Sequence, residues 1–479
     1  MPLILLLLVT TAIRLGFAAA MGLGVDESYM VAAGRVLSLG YYDHPPLSWW
    51  LSWGAAHLFG SEAAILVRLP FIAMFALSTW LMYWLGSAIA DRRAGLLAAL
   101  LLNLSPLFGV TTGTWVLPDG PLDCALLGAA LCLVYALERG TLAWWSGTGL
   151  CAGLALLSKY SAALTIAGAI LYLLTSRRHR QLLATAKPWF AALIASLMFA
   201  PVLAWNAAHG WESFAFQAGR AEGWHFRPLA PLVTLGGEAL FVLPWIWLPM
   251  MAVLVGALRR GPAAWRSWLL SCLALPPIVV FAAVSAWASQ RVLFHWAAPG
   301  YLMLFPLLGD AVARRIDRPA VRWSIAATGG FVILGVVVVA SQVRLGWLHP
   351  LMMDMGRGDP TVQAVDWTSL REGLPRDALI GVPDWRNAGK IAYALGSQVT
   401  TICLSRDCRQ FGLTAPAQRF IGSNLLILAP EHGDRVPDEF AGAFDRIEQL
   451  PDKAIRQAGR TLQTVSVFRA EHLRAWPVQ

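Results

Sequence analysis

The sequence predicts a polytopic α-helical membrane protein that ends in a small α/β domain. Hydrophobic residues make up 57% of the 479 residues and charged residues only 14%, whereas soluble domains carry about a quarter charged residues. Apolar runs of about 20 residues, the length that spans a bilayer as a helix, recur from the N-terminus to about Gly346. After about Met353 the composition changes to charges of both signs. These three observations define the fold class.

Short basic clusters divide the apolar sequence into candidate spans. The positive-inside rule assigns the clusters at 91–93, 138–140, 176–180, 259–260 and 314–318 to the cytoplasmic side. They carry much of the net charge of +9, which therefore does not indicate nucleic-acid binding. The resulting eleven spans, with the N-terminus inside and the C-terminus outside, are 3–22, 63–90, 94–112, 121–137, 142–157, 161–175, 185–206, 230–257, 265–287, 297–313 and 323–346.

The predicted domain organisation follows from this change in composition. Residues 1–350 form a membrane domain with a first external loop at 23–62, and residues 351–479 form a soluble domain. In the soluble part, "ALIGVP" and "NLLILAP" are typical of strands, and "DWRNAGKIAYALG" of a helix capped by Asp384 and closed by Gly396. We expect the first span to be retained, since it lacks a convincing cleavage site.

Acidic residues concentrate in the external segments of this topology. Asp26 and Glu27 directly follow the first span, where they could cap a helix or carry out chemistry. In "GYYDHPPL", two prolines fix the backbone next to Asp43 and His44, a rigidity that a solvated loop does not need.

A second acidic motif, "LPDGPLD", precedes the fourth span and contains Asp119 and Asp123. A carboxylate at the edge of the membrane is costly to bury and indicates a functional site. A helix cap is the alternative, because the motif opens a predicted helix.

Basic residues share the same face. Lys159, in "SKYS" between two short spans, could extend to the interface or contact an anionic head group. The further cations on this side are Arg220, His225, Arg227, Arg291 and His295. By contrast, Arg14 lies inside the first span and is interpreted as a packing or lipid-facing residue. An acid that deprotonates a hydroxyl and cations that stabilise a departing phosphate suffice for group transfer from a lipid phosphate.

The motifs "DESY", "GYYDHPPL", "RLP", "LPDGPL", "GLALLSKYSA", "WNAAHGWESFAFQAGR" and "HWAAPGYL" resemble those of bacterial protein O-mannosyltransferase-like enzymes. These belong to the GT-C glycosyltransferases, which use polyprenyl-phosphate sugars and include the lipid A aminoarabinose transferases. The resemblance covers roughly residues 1–350. It implies a first external loop with two amphipathic helices on the membrane, here 26–39 and 45–59.

The resemblance also implies residue roles. Asp26 would be the catalytic base, with Glu27 beside it and Asp119 as a further catalytic acid. The predicted donor-phosphate contacts are Lys159, Arg220 and Arg291, and the predicted substrate contacts are Tyr42, His44 and His295. In relatives the acid of the acid-X-Pro-Pro motif helps to bind a metal, so the predicted metal ligands are Asp43, His209 and His225, with Mg, Mn or Zn as an optional cofactor. Relatives carry lysine where His44 stands.

The predicted function is an inverting glycosyltransferase in the bacterial inner membrane, with its site and its C-terminal domain in the periplasm. It would move a sugar from a polyprenyl-phosphate donor to lipid A, another envelope glycolipid or a protein. In that oxidising compartment Cys403 and Cys408 could form a disulfide or remain reduced. A transporter or lipid flippase is the alternative from another class, but it predicts acids and cations near the bilayer midplane and a repeat between halves, whereas this sequence shows no such repeat and concentrates its charges at one face.

Overall fold

The structure of the protein is a computed structural model that describes residues 1–223, 225–354, 359–375 and 377–476. The helices are α1 (Pro2–Ala20), α2 (Val25–Ala33), α3 (Leu47–Phe59), α4 (Ala64–Ile89), α5 (Arg92–Leu104), α6 (Asp119–Arg139), α7 (Leu142–Ser158), α8 (Ala162–Thr175), α9 (Ala186–Ala208), α10 (Glu212–Gly219), α11 (Ala230–Val242), α12 (Pro244–Arg260), α13 (Trp265–Ser285), α14 (Ala298–Leu302), α15 (Phe305–Ala313), α16 (Pro319–Leu345), α17 (His349–Asp354), α18 (Trp385–Leu395), α19 (Gln410–Thr414) and α20 (Val436–Glu439). The strands are β1 (Ile380–Val382), β2 (Thr401–Cys403), β3 (Leu425–Ala429), β4 (Phe444–Gln457) and β5 (Arg460–Leu473).

Each predicted span corresponds to helical structure, but three spans are irregular. The third consists of α5 and a π-helix, Leu107–Thr112. The eighth breaks into α11 and α12, whose axes are bent by 114° relative to each other. At the break, Leu243 adopts a positive φ, and Pro244 is the first residue of α12. The tenth is interrupted between α14 and α15. Among the described residues, six helices are long and apolar enough to cross a membrane, or seven if the bent pair counts once. The chain is therefore multi-pass, while the number eleven remains a prediction.

The chain divides into two compact units that are interleaved in sequence. The first unit comprises 1–15, 39–48 and 70–333, and the second comprises 16–38, 49–69 and 334–479. The predicted domains, 1–350 and 351–479, differ from these units because each is one continuous stretch of the chain. The core of the first unit is a continuous apolar cluster with aromatic side chains at its centre, among them Phe75, Phe108, Tyr172 and Phe305.

Arg14 is a packing residue of the first unit, one of the two interpretations that the sequence allows. Its guanidinium donates to the carbonyl oxygen of Gly109 (3.0 Å) and to Oδ1 of Asn103 (2.7 Å). It also lies 4.2 Å from the ring centre of Phe75. These contacts satisfy a charge that would otherwise be costly inside an apolar helix bundle.

The second unit contains a five-stranded sheet in the order β2-β1-β3-β5-β4. The strands β1, β2 and β3 pair in parallel, and β5 pairs antiparallel with both β3 and β4. The two predicted strands are confirmed as β1 and β3. The predicted helix is α18, with Asp384 accepting from the N–H groups of Arg386 and Asn387 and with Gly396 at φ 85° after its last residue.

Helix α2 differs from the prediction in length and in character. It ends at Ala33, because Gly34 caps it with an N–H bond to the Met30 carbonyl, and not at residue 39. Every residue from 27 to 33 is buried, so the prediction of an amphipathic surface helix is wrong for this segment. It packs against α18 within the second unit, where a Cβ on Gly389 would lie 2.7 Å from the Cα of Tyr29. Helix α3 agrees with the predicted 45–59 within two residues.

Cys403 and Cys408 form a disulfide, with their Cα atoms 5.6 Å apart, and Cys124, Cys132, Cys151 and Cys272 are free. We expect alkylation of the denatured, unreduced protein to modify four cysteines and alkylation after reduction to modify all six of the chain. Intact-mass measurement counts the adducts. Six adducts without reductant would show that the disulfide does not form in the cell envelope.

Candidate functional site

The first unit contains a buried ion pair between two of the predicted site residues. Asp119 is the first residue of α6, and Lys159 follows the last residue of α7. Lys159 Nζ donates to Asp119 Oδ1 at 2.8 Å, and the side chains are 12% and 7% exposed respectively. An ammonium group has three donor hydrogens. Lys159 can therefore hold Asp119 and still donate to a bound anion.

Asp123 lies one helical turn after Asp119 and is even more buried. The side chain is 1% exposed, and neither carboxyl oxygen has a hydrogen-bond partner among the described residues. The Thr112 hydroxyl is close enough to interact with this carboxylate, but its hydrogen-bond geometry is directed to the carbonyl of Phe108 at 3.2 Å. A polar group buried without a well-formed hydrogen bond is costly, so this carboxyl is a candidate for contact with a bound ligand.

Two histidines from distant parts of the sequence face this carboxylate. His44 and His295 are both close enough to Asp119 for their charges to interact. Burial lowers the pKa of His295 to about 4, although Asp119 opposes that shift. At neutral pH His295 is therefore uncharged, and it can accept or donate a hydrogen bond without adding charge to the cluster.

Arg220 supplies a further cation to this group. Its guanidinium lies 4.5 Å from the ring centre of Trp296 and 5.5 Å from that of Phe216. It also interacts electrostatically with His295. Aromatic faces on two neighbours fix the position of a planar cation that is suited to bidentate phosphate binding.

Helix α10 holds the external segments of the first unit together. Phe216 packs against Tyr42 with ring centres 5.2 Å apart, and Gln217 donates to the carbonyl of Asp43. One turn earlier, Ser213 hydrogen-bonds the hydroxyl of Tyr160 at 2.7 Å. The sequence motifs around Asp43 and Lys159 are thus both anchored to one short helix. Sequence reasoning missed this role, because the contacts are made by Ser213, Phe216 and Gln217, residue types that do not by themselves indicate a site.

Glu238 is a second residue that sequence reasoning missed. It is fully buried in α11 and accepts a hydrogen bond from the Tyr301 hydroxyl, while Oε1 has no partner among the described residues. The available signal was a single acid within an apolar span, which by itself suggests function.

The predicted metal ligands are not brought together. His209 stacks on Trp205 and bonds its carbonyl oxygen at 2.8 Å, and His225 is exposed. Asp43 is buried elsewhere in the same unit. Within the described part of the chain, no three His, Cys, Asp or Glu side chains are placed to hold a metal ion. Arg291 is exposed and lies over Phe294 at 4.5 Å.

The second unit contains Asp26 and Glu27, and these two acids differ in burial. Glu27 is 3% exposed and receives two bonds from Arg68, Nε to Oε1 at 2.8 Å and Nη2 to Oε2 at 2.5 Å. Oε2 also accepts from the N–H of Gly24. Arg68 further donates to the carbonyls of Ala18, Met21 and Gly22. Glu27 therefore fixes the start of α2, and its neighbour Asp26 is exposed.

Arg68 was not singled out from the sequence. It sits in "RLP" near the start of a long apolar helix, where a single arginine is usually taken as an interfacial anchor. Only the fold shows that it is 1% exposed and bound to a carboxylate 41 positions earlier in the chain.

Comparison with known proteins gives matches in both sequence and fold. A family model described as dolichyl-phosphate-mannose-protein mannosyltransferase matches residues 43–205. Two relatives are described as undecaprenyl phosphate-alpha-4-amino-4-deoxy-L-arabinose arabinosyl transferase. The Yersinia enterocolitica protein is 23% identical over 334 residues, 66% of this chain and 58% of its own length. The Pectobacterium atrosepticum protein is 27% identical over 350 residues, 68% and 59% respectively, so the chain spans less than two thirds of either relative.

The fold matches that of ArnT from Cupriavidus metallidurans over 97% of each chain. The apo crystal structure gives a TM-score of 0.65 at 15% identity, and the structure bound to undecaprenyl phosphate gives 0.62 at 14%. These comparisons confirm the fold class and the resemblance to GT-C glycosyltransferases of the aminoarabinose transferase type.

We expect the buried ion pair to show strong coupling in a double-mutant cycle. Asp119→Asn or Lys159→Met alone leaves the partner uncompensated in a buried site, so each lowers the free energy of unfolding by about 3 kcal/mol. The double variant should lose clearly less than the sum. The measurement is unfolding of the purified protein in detergent, followed by circular dichroism. Strictly additive losses would contradict a direct pair.

We also expect His295 to make the protein less stable in acid. Its folded pKa of about 4 lies below the ordinary 6.5, so the unfolded chain binds the extra proton as the pH falls from 6.5 towards 4. The wild-type protein should lose stability over this window more steeply than His295→Gln, by up to about 1.4 kcal/mol per pH unit. The exposed His432→Gln variant is the matched control. Equal slopes in all three proteins would contradict the burial of His295.

Proposed function

We propose that this GT-C protein is an inverting glycosyltransferase that takes a sugar from a polyprenyl-phosphate donor. In the reaction, an acceptor oxygen attacks the anomeric carbon and forms the new glycosidic bond. The bond between that carbon and the phosphate oxygen breaks, and polyprenyl phosphate leaves with the electron pair. A carboxylate takes the proton of the acceptor hydroxyl. Charge therefore develops on the leaving phosphate, where positioned cations lower the barrier.

The convergence around the Asp119–Lys159 pair carries this proposal. Lys159 contacts Asp119 directly, His44 and His295 interact with the same carboxylate, and Arg220 interacts with His295. These residues come from five separate segments of the chain. Burial of such a cluster of polar and charged side chains inside an apolar helix bundle costs free energy. Clusters of this kind therefore usually serve a function.

Each residue is assigned a role by its surroundings. Lys159 and Arg220 bind the donor phosphate, and Asp119 orients Lys159 between turnovers. His44, His295 and Tyr42 line the substrate position, and Arg291 adds a cation at the exposed edge. Asp26 is the catalytic base. Glu27 is a positioning residue, because Arg68 and the Gly24 N–H already occupy its carboxylate.

The relatives guide the choice of donor and acceptor. Both curated relatives are described as transferring aminoarabinose from undecaprenyl phosphate, so we propose an undecaprenyl-phosphate-linked pentose or hexose as donor. Lipid A or another envelope glycolipid is the proposed acceptor, and a protein is the alternative favoured by the description of the matching family model. The protein would lie in the bacterial inner membrane with residues 351–479 and the site at the periplasmic face.

A divalent metal ion remains a prediction from the sequence resemblance. Asp43, His209 and His225 do not form a ligand set in the structure, so no step of the proposed reaction depends on a metal, and chelation of the assay followed by addition of Mg, Mn or Zn tests whether one is needed.

We expect Asp26→Asn to reduce sugar transfer by about 100-fold to 10,000-fold, because the amide cannot accept the proton of the acceptor hydroxyl. The donor and acceptor are first identified by mass spectrometry of envelope glycolipids from a deletion strain and its parent. Transfer by the purified full-length protein is then followed by product mass. Since Asp26 is exposed, the variant should keep the wild-type unfolding midpoint.

Two further variants make this result specific. Asp434→Asn, another exposed carboxylate of the second unit, should transfer sugar at the wild-type rate. Glu27→Gln should lower the unfolding midpoint, since it weakens the buried pair with Arg68. Undiminished transfer by a well-expressed Asp26→Asn protein would overturn the assignment of the base.

A further inference from the structure

A large cavity lies wholly within the second unit and takes no part in the site described above. Its volume is about 1080 Å³. The ends of three apolar helices line it, with Ala18 from α1, Ile65 from α4 and Val343 from α16. Each of these helices is long and apolar enough to cross a membrane. The cavity therefore lies where membrane-spanning helices end, at the depth of lipid head groups.

Three arginines line this cavity, and each is tethered in the same way. Arg35 donates to the carbonyl of Ala392 (3.1 Å), Arg344 to that of Ala19 (2.6 Å) and Arg371 to that of Ala394 (2.5 Å). One nitrogen of each guanidinium thus fixes the group against the wall. Because a guanidinium carries five N–H donors, Arg344 and Arg371 each have further donors that can bind a ligand in the cavity.

The acidic residues of the lining do not cancel this charge. Glu62 is fully engaged by Arg35, with both oxygens bonded at 2.8 and 2.7 Å. Within the described part of the chain, Asp366 accepts only from the N–H of Thr368 and keeps its charge, so the lining has three arginines against two carboxylates. Among the described residues, Arg344 and Arg371 form no ion pair with a carboxylate, which leaves two arginines for an external anion.

The start of α4 adds a second source of positive potential. Ala64 and Ile65 are the first residues of this 26-residue helix, and both line the cavity. The first N–H groups of a helix have no intrahelical acceptor, and the helix dipole favours an anion at this end. Arginine donors and a helix N-terminus together are a typical environment for a phosphate group.

We propose that this cavity binds the phosphate-bearing head group of a membrane lipid. The arginines and the start of α4 hold the phosphate, and the apolar residues at the ends of α1 and α16 accompany the first part of the lipid chain. The same chemistry fits a phosphorylated glycolipid, which would be the acceptor if the proposed function is correct, and an anionic phospholipid. The binding claim itself does not depend on the proposed function.

The test is lipid binding by the full-length protein in detergent, without sugar donor. Binding is measured by native mass spectrometry with three probes: lipid A, phosphatidylglycerol and the phosphate-free lipid galactosyl diacylglycerol. The variant is Arg344→Gln/Arg371→Gln, and the matched control is Arg446→Gln/Arg469→Gln, which removes two exposed arginines of β4 and β5. We expect the cavity variant to bind its phosphate lipid at least about tenfold more weakly than the wild type and the control.

The outcomes separate the two lipid sources. If the cavity variant loses lipid A and its KM for the glycolipid acceptor rises with kcat nearly unchanged, the occupant is the acceptor. If it loses phosphatidylglycerol with an unchanged KM, the occupant is a phospholipid. The proposal is overturned if cavity and control variants bind all three lipids equally, or if the wild type binds galactosyl diacylglycerol as tightly as the phosphate lipids. Failure of sugar transfer would leave these binding results unaffected.

Discussion

The candidate site depends on the ion pair between Asp119 and Lys159. Neither charge could remain inside an apolar helix bundle alone, because desolvation of a single ion costs several kcal/mol. The pair fixes the first turn of α6 relative to the turn between α7 and α8. His44, His295 and Arg220 are then positioned close to it. The site is consequently organised before any substrate arrives, as electrostatic catalysis requires.

The same constraint operates elsewhere in each unit. Arg14 finds acceptors on Gly109 and Asn103 in the first unit, and Glu27 finds Arg68 in the second. In both cases a buried charge in or next to an apolar helix is hydrogen-bonded by a distant residue, through a carboxylate for Arg68 and through neutral oxygens for Arg14. Asp123 is different, since its oxygens have no partner among the described residues. We read that contrast as a sign that this part of the first unit is built for a ligand.

The elements that the sequence predicted best are those with local causes. Apolar runs of spanning length and flanking basic clusters located the helices, and the cap at Asp384 located α18. The predictions were weaker where distant contacts decide. Burial against α18 gives α2 its all-round buried surface, and no periodicity signals that. The anchoring role of α10 depends on Tyr42, Asp43 and Tyr160, which are remote in the chain.

By itself, the sequence determined that this is a multi-pass membrane protein with a small sheet domain, because hydrophobicity, charge bias and caps act over a few residues. It also supplied the residues of the candidate site through their chemical type. Only the tertiary structure decided which of them meet: Lys159 with Asp119, Glu27 with Arg68, and His209 with Trp205 rather than with a metal set. Pairing of buried charges is a property of three-dimensional proximity, and residue order along the chain does not encode it directly.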